Sequence, residues 1–469
     1  GIPRFRGDQP GSDAEAARSA MDTTFLHWGL HAWAIYVVVG LAIAYSVHRK
    51  GNPISIRWAL EPLLGHRVRG YLGDVIDIIA VLGTLFGVAT SLGLGVSQVS
   101  AGFVYLDWID PNDQGVAPTA LKVVLIIVIT ACALASVVSG VDKGIKWLSN
   151  INLGFAAGLM ILVLVAGPTV FLLSDFITSV GSYLRNFFEL SFDALPFQGA
   201  QTGADGVNQY DGGAWVSWWT TFYWGWWISW APFVGVFIAR ISKGRTVREF
   251  VIGVLLVPTT VTFLWFSVLG GTAIHRELFG DGGLVTPVLD ASGKVIEGSR
   301  AVSTDTALFA MLDGLPLGSF TIVASILAIF LIVIFFVTSS DSGSFVVDML
   351  ASGGNPNPPV WSRAFWASME GMIAAVLLLA GGGGLGALQT MAILLAVPFS
   401  VVMVLMCFSI AKALLAERRD WVHRQRKWLA EQVANEIQDS ALLADSAAAP
   451  ESVTSHGGGF RGPGESDPR

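Results

Sequence analysis

Apolar and polar positions along the chain fall into blocks. Nine stretches, at 24–47, 74–99, 119–140, 147–173, 215–240, 248–271, 319–339, 361–380 and 385–413, are predominantly apolar. Each has about the 20 residues that a helix needs to cross a hydrocarbon core. Lipid offers no partner to backbone N–H and C=O groups, so a crossing segment must satisfy them within itself, as a helix does. Three weaker amphipathic segments, 54–70, 176–193 and 303–314, are short or carry polar residues and read as interfacial. The pattern predicts an all-α polytopic membrane protein.

Lysine and arginine orient it. One set of alternate loops holds Arg49, Lys50, Arg57, Arg67 and Arg69, then Lys143 and Lys146, then Arg240, Lys243, Arg245 and Arg248, then Arg363. The segment after 411 adds Lys412, Arg418, Arg419, Arg424, Arg426, Lys427, Arg461 and Arg469. The opposite side has only Arg4, Arg6, Arg18, Lys122, Arg185, Arg276, Lys294 and Arg300. The richer set, with the C-terminus, is expected in the cytoplasm. Nine crossings then place residue 1 outside. Residues 1–22 are polar, begin Gly1-Ile2-Pro3, and resemble an external loop more than a chain start. The expectation is that an odd number of helices precedes residue 1; the alternative is a nine-span protein with an exported N-terminus.

Composition narrows the class further. Hydrophobic residues make up 53% of the 469 and charged residues 13%, about half the charge of an average soluble chain. A soluble globular, disordered or disulfide-framework protein is excluded. The two cysteines, Cys132 and Cys407, lie inside apolar runs and indicate no redox compartment. The net charge of −7 is spread over ends and loops, with no basic face for nucleic acid.

The densest chemical signal is in the fifth stretch, where Trp215, Trp218, Trp219, Trp224, Trp226, Trp227 and Trp230 crowd together. Tryptophan commonly marks a membrane interface, yet 224–230 falls at mid-span. At about 100° per residue, Trp219, Phe222, Tyr223, Trp226, Trp230 and Phe233 share one arc, with Trp227 at its edge. Such an arc is either a packing face or a cage of π faces for a cation that cannot be hydrogen-bonded, a quaternary ammonium. Gly225 and Pro232 bracket it, a place where the helix is expected to bend or unwind. Trp28 and Tyr36 lie two turns apart on one face of the first stretch. His27 and His31 are four apart, but no further ligand cluster accompanies them, so they read as interfacial histidines rather than a metal site.

Polar groups within spans come next. Thr338-Ser339-Ser340-Asp341-Ser342 can offer oxygen to a hard cation, or can cap its helix while Asp341 pairs with a loop arginine. Gly83, Thr84, Gly87, Thr90, Ser91, Gly93 and Gly95 form a small-residue face suited to close helix approach. Glu370, the one carboxylate well inside hydrocarbon, is a candidate functional group or a paired structural one. No acid, base and nucleophile converge, and no phosphate loop is present, so an enzyme is not expected. Arg418 to Lys427 make a juxtamembrane basic segment fit to touch anionic lipid, or merely the positive-inside bias.

These residues together resemble the betaine/choline/carnitine transporter family, over roughly 20–415. The most specific stretch is Phe222-Tyr223-Trp224-Gly225-Trp226-Trp227-Ile228-Ser229-Trp230-Ala231-Pro232-Phe233-Val234-Gly235, followed by Ala239-Arg240-Ile241-Ser242-Lys243-Gly244-Arg245-Thr246. Supporting matches are His27-Trp28 through Tyr36, Ser139 through Lys146 with Leu148-Ser149-Asn150, and Thr338 through Ser342.

The resemblance implies a twelve-span plasma (inner) membrane protein, commonly a homotrimer, built on two inverted five-helix repeats of the LeuT type. On that pattern 1–22 is an external segment and 23–413 the transporter domain. Within it, 23–174 is the remainder of repeat 1, 175–214 an external interfacial segment and 215–413 repeat 2. Residues 414–469 are a cytoplasmic tail, partly helical and then disordered. Family members carry quaternary ammonium solutes such as glycine betaine or choline. The substrate box would fall on Trp28, Trp33, Tyr36, Trp227 and Trp230, with Trp226 and Phe222 lining the path. In sodium-coupled members one ion site would use Thr338 and Ser339 with Phe335 nearby. A second would use Thr84, a hydroxyl one turn later and Phe233. Here the position one turn after Thr84 is Val88, which has no oxygen. The leading expectation is sodium-coupled uptake of an osmoprotectant, with no cofactor. The alternatives are proton-coupled choline uptake, sodium-independent exchange, or an osmosensor that moves no solute.

Overall fold

A computed structural model describes residues 13–112, 115–139, 142–193, 201–202, 208–210, 216–280, 282–284, 302–382 and 384–448. Residues 1–12, Trp215, Lys294, Arg300 and 449–469 lie outside the described residues. So do Gly140 and Val141, and the side chains of Trp218 and of residues 142–146. The chain divides into two compact units, Gly1–Ala411 and Lys412–Arg469.

Fourteen helices are described: α1 (Asp13–Trp28), α2 (Leu30–Ala44), α3 (Ile56–Ala59), α4 (Glu61–Leu64), α5 (Tyr71–Tyr105), α6 (Thr119–Ser139), α7 (Asp142–Ala166), α8 (Thr169–Phe192), α9 (Phe222–Ile241), α10 (Val247–Phe279), α11 (Ala307–Asp313), α12 (Phe320–Ala351), α13 (Val360–Ala380) and α14 (Gly386–Ala448). Two short strands, Gln201–Thr202 and Asn208–Tyr210, pair antiparallel. Eight helices among the described residues are long and apolar enough to cross a membrane. The remaining predicted span, 215–240, is represented by α9, whose indole and phenol rings lower its hydropathy below that of the other eight.

Several boundaries differ from the expectation. The predicted run 147–173 breaks at Gly167-Pro168, because Pro168 cannot continue α7 and instead precedes the first residue of α8. The interfacial segment 176–193 is the later part of that helix. Residues 13–22, expected to be loop-like, are helical and belong to α1. Pro232 sits inside α9 without ending it; the irregularity lies just ahead, in a π-helical turn at Ser217–Thr221.

Small residues set how closely the helices of the first unit approach, as is general where lipid removes the hydrophobic drive between helices. A Cβ at Gly235 of α9 would lie 2.6 Å from Val39 of α2. On α5, a Cβ at Gly95 would enter the Phe336 ring of α12, and one at Gly87 would lie 2.9 Å from the Trp230 ring. The predicted small-residue face of α5 thus receives aromatic side chains from two neighbours. A further aromatic cluster joins α1, α8 and α10: Phe25 stacks on Phe263 at 3.9 Å, and Tyr183 meets both rings edge-on. At the start of α10, Thr246 accepts from the Glu249 N–H at 3.2 Å while the Thr246 N–H donates back to Glu249 at 2.8 Å. This reciprocal cap satisfies two otherwise orphaned donors.

In the second unit the α14 residues beyond 411 present Arg418, Arg419, Arg424, Arg426 and Lys427 as exposed side chains.

Candidate functional site

The site begins with an interruption. A helix running from Asp13 to Ala44 would be continuous but for Gly29, with φ −101° and ψ −131°. A Cβ there would lie 2.4 Å from the Phe25 carbonyl and 2.5 Å from the Phe263 ring, so only glycine fits. The break falls two residues after His27, whose carbonyl faces a side chain of α9. The Trp227 indole N–H donates to it at 2.7 Å. This bond ties α9 to the broken helix at the level of the tryptophans.

Around it the rings of two helices assemble. Trp28 stands nearly perpendicular to Trp227 (4.7 Å, 78°) and to Trp226 (5.9 Å, 89°). Trp226 and Trp227 stack at 5.0 Å, Phe222 stacks on Trp226 at 5.6 Å, and Tyr36 meets Trp227 edge-on at 6.3 Å. Tyr223 and Phe266 of α10 complete the ring contacts of Trp28. The Trp226 N–H donates to the Ser91 hydroxyl at 2.9 Å, which in turn donates to the Gly87 carbonyl. Edge and face orientations with satisfied indole N–H groups leave several π faces fixed in place, the arrangement that attracts a cation lacking hydrogen-bond donors.

The structure therefore brings Trp28, Tyr36, Phe222, Trp226 and Trp227 into one connected cluster. Trp33 joins through Tyr36 at 5.4 Å. Trp230 stands apart: its ring pairs with Phe233 at 5.4 Å and lies against Gly87, and its buried N–H has no partner among the described residues. His27 and His31 hold no metal-like geometry. The His27 Nδ1–H donates to the Thr23 carbonyl at 2.7 Å, leaving Nε2 to accept from Thr220, and His31 pairs with Ser191.

A cavity of about 740 Å³ opens on this cluster. Trp28, Phe222, Tyr223 and Trp226 form its aromatic wall; Ser91 and Gln98 of α5 and Gln389 of α14 supply polar groups. The charged residues of its described wall are Lys122 of α6 and Asp305, just ahead of α11. Burial raises the Asp305 carboxyl above its ordinary value while the Lys122 charge draws it back.

The predicted ion-site residues are distributed over three helices. On α5 the Thr84 hydroxyl is fully buried and has no hydrogen-bond partner among the described residues. Phe233 of α9 is buried, and on α12 Phe335 is 44% exposed. Thr338 donates to the Ile334 carbonyl at 2.9 Å, which leaves its lone pairs available, and Ser339 is half-buried. Val88 is buried against Gly343, where a Cβ would lie 3.1 Å from it, so hydrocarbon fills the position one turn after Thr84.

Glu370 of α13 is fully buried and accepts from the Ser340 hydroxyl at 2.7 Å. Its second oxygen has no partner among the described residues and lies beside Gly343. Asp341 lies 3.9 Å from Arg363, and the guanidiniums of Arg240 and Arg363 each sit 5.0 Å from the Phe345 ring. The arginine beside Asp341 lies within α13 rather than in a loop, and residues 338–342 lie inside α12, which runs on to Ala351, so they do not cap its end. Sequence reasoning did not find the Gly29 break, Phe266, or the Lys122–Asp305 end of the cavity. A glycine within an aromatic run was the available signal for the first; the others had none.

Residues 2–419 match the model of the family described as BCCT, betaine/carnitine/choline family transporter. The chain is 51% identical over 413 residues to an uncharacterized transporter of Mycobacterium tuberculosis, covering 88% of this chain and 64% of that one. It is 46% identical to the glycine betaine transporter OpuD of Bacillus subtilis, over 89% of this chain and 75% of OpuD. A glycine betaine/proline/choline transporter of Vibrio parahaemolyticus is 43% identical, with 88% and 68% covered. The chain thus spans a little under two thirds of the length of its mycobacterial relatives.

Proposed function

The chain belongs to the betaine/carnitine/choline family of transporters, and from that premise we propose that it takes part in sodium-coupled uptake of glycine betaine or a closely similar quaternary ammonium solute, with its C-terminus in the cytoplasm. The observation that carries the reading is the aromatic cluster itself. Trp28 meets Trp226 and Trp227 at near right angles across two helices, beside a cavity able to hold a small solute. A trimethylammonium group offers no hydrogen to donate, so recognition must come from π faces, each worth ~0.5–2 kcal/mol. The broken α1–α2 helix supports the same reading, because interrupted helices commonly carry transporter substrate sites. Relatives named as glycine betaine transporters in Bacillus, Vibrio and Acinetobacter agree with it.

Sodium coupling rests on the hydroxyls of Thr338 and Ser339 and on the buried Thr84 hydroxyl, which has no partner among the described residues. Sodium is cargo here, and these oxygens are the hard donors it takes. A second reading, coupling without sodium, is favoured by Val88, which offers no ligand one turn after Thr84.

Uptake of radiolabelled glycine betaine by the transporter in proteoliposomes tests both. Trp28→Leu should lower apparent affinity tenfold or more while the protein remains folded in the membrane. Replacing external sodium with potassium should abolish uptake. Undiminished transport by Trp28→Leu would remove the cage, and full activity in potassium would remove the sodium coupling.

A further inference from the structure

Glu370 lies in the middle of α13, which packs against α5, α6 and α12. It is fully buried. The Ser340 hydroxyl donates to one of its carboxylate oxygens at 2.7 Å, and the other oxygen has no partner among the described residues. Gly343 of α12 makes room for that second oxygen: a Cβ there would lie 3.2 Å from it and 3.1 Å from Val88 of α5. A second buried acid of α12, Asp341, follows Ser340, and its negative charge also acts on Glu370. Arg363, the one basic residue of α13, stands 3.9 Å from Asp341. Two buried acids therefore meet one arginine, and that arginine stands beside the other acid. A buried carboxylate is retained where it is paired or takes a cation.

The place of Glu370 in the bundle selects the cation. Ser340, which it holds, follows Ser339, and Val88, across Gly343 from it, lies one turn after Thr84. The carboxylate thus stands where α12 and α5 come together, the two helices whose hydroxyls the sodium reading uses. Hydroxyl oxygens offer a cation lone pairs but no net charge. A carboxylate offers charge, and in a medium of low dielectric constant its attraction reaches beyond contact distance.

We propose that Glu370 is the counter-charge of the coupling sodium ion: its ionised carboxylate, held by Ser340, favours sodium at the hydroxyls of α12 without having to touch it. Glu370 is then a positioning residue that sets how much sodium transport requires, while the grip on the methylated nitrogen stays with the rings. The inference rests on the sodium-coupled reading above and assigns that reading a charge it otherwise lacks.

Uptake of radiolabelled glycine betaine by the transporter in proteoliposomes, over a series of external sodium concentrations with potassium as the replacement, tests it. Glu370→Gln keeps an acceptor for Ser340 and removes the charge. It should raise the half-saturating sodium concentration by about tenfold or more, with the KM for glycine betaine at saturating sodium near the parent's. Ser340→Ala removes the bond and keeps the charge, so its sodium requirement should stay near the parent's. A parental sodium requirement in Glu370→Gln, or an equal rise in Ser340→Ala, would overturn the counter-charge. Should Glu370→Gln not fold, Asp341→Asn decides the matter. It leaves the Arg363 guanidinium to offset the Glu370 charge and should raise the sodium requirement in the same way; no rise would overturn the proposal. Full uptake by the parent in potassium would overturn the sodium reading, and the counter-charge with it.

Discussion

The indole N–H of Trp227 donates to the carbonyl oxygen of His27, 2.7 Å away and 200 residues earlier in the chain. Gly29 interrupts the helix two residues beyond that carbonyl. The bond fixes the ring that stands against Trp28.

Trp227→Phe keeps the π face and removes the donor. The buried bond that ties α9 to the His27 carbonyl is then lost, at a cost of about 1 kcal/mol. Trp226→Phe should cost less, since Ser91 keeps its own bond to the Gly87 carbonyl. Thermal unfolding in detergent should show the larger drop for Trp227→Phe. Equal or reversed effects would mean that the bond to His27 does not hold α9 in place.

Gly29→Ala places a methyl group on the Phe25 carbonyl and in the Phe263 ring. The ring can turn but the carbonyl cannot, so the substitution should destabilise by about 3 kcal/mol, near the upper end for overpacking. Adding Phe263→Leu should recover only part of that loss. A fully stable Gly29→Ala would show that the break is not sterically fixed.

At the start of α5, Asp77 is buried and accepts from the Ser55 hydroxyl, the Arg57 N–H and the Arg57 side chain. Asp74 meets the same guanidinium at 2.7 Å but is 57% exposed. Asp77→Ala leaves the Ser55 hydroxyl and the Arg57 N–H without this acceptor, while Asp74 still meets the guanidinium, and should cost about 1–3 kcal/mol, whereas Asp74→Ala should cost under about 1 kcal/mol. Chemical or thermal melts of the two variants compare them directly.

Asp175 in α8 is partly buried beside Gly271, and burial raises its carboxyl above the ordinary value while the Ser179 hydroxyl partly offsets this. The folded protein therefore holds the proton more tightly than the unfolded chain does. Stability falls as pH rises from the ordinary carboxylate value to the raised one, and stays lower above it. Asp175→Asn, which cannot ionise, should melt at a higher temperature than the parent at neutral pH. The gap should close as the pH falls into the acid range. A constant gap across pH would show that ionisation of Asp175 is not its source.

The helical class, the spans and the aromatic arc of α9 were legible because each depends on residues near in sequence. A period of 100° per residue places Phe222 and Trp226 on one face, and the structure stacks them at 5.6 Å. Which neighbour that face meets is a tertiary matter. Trp227, at the arc's edge, is the ring held against Trp28, while Trp230, on the arc, turns to Gly87 and Phe233. The Gly29 break escaped because periodicity runs straight through a single glycine. Lys122 and Asp305 escaped because only the folded chain brings residues from α6 and the segment before α11 to one cavity. Val88, by contrast, was readable at once, since a missing oxygen is visible in the sequence.

The methyl groups of the substrate give the sharpest test. Binding of glycine, its mono- and dimethylated forms and glycine betaine to the purified protein can be followed by competition against radiolabelled betaine. The carboxylate is common to all four, which differ only in how many N–H groups on the nitrogen are replaced by methyl groups. Affinity should rise at each methylation and be greatest for the trimethylated compound, and the gradient should flatten in Trp28→Leu. Glycine competing as well as glycine betaine would contradict the account.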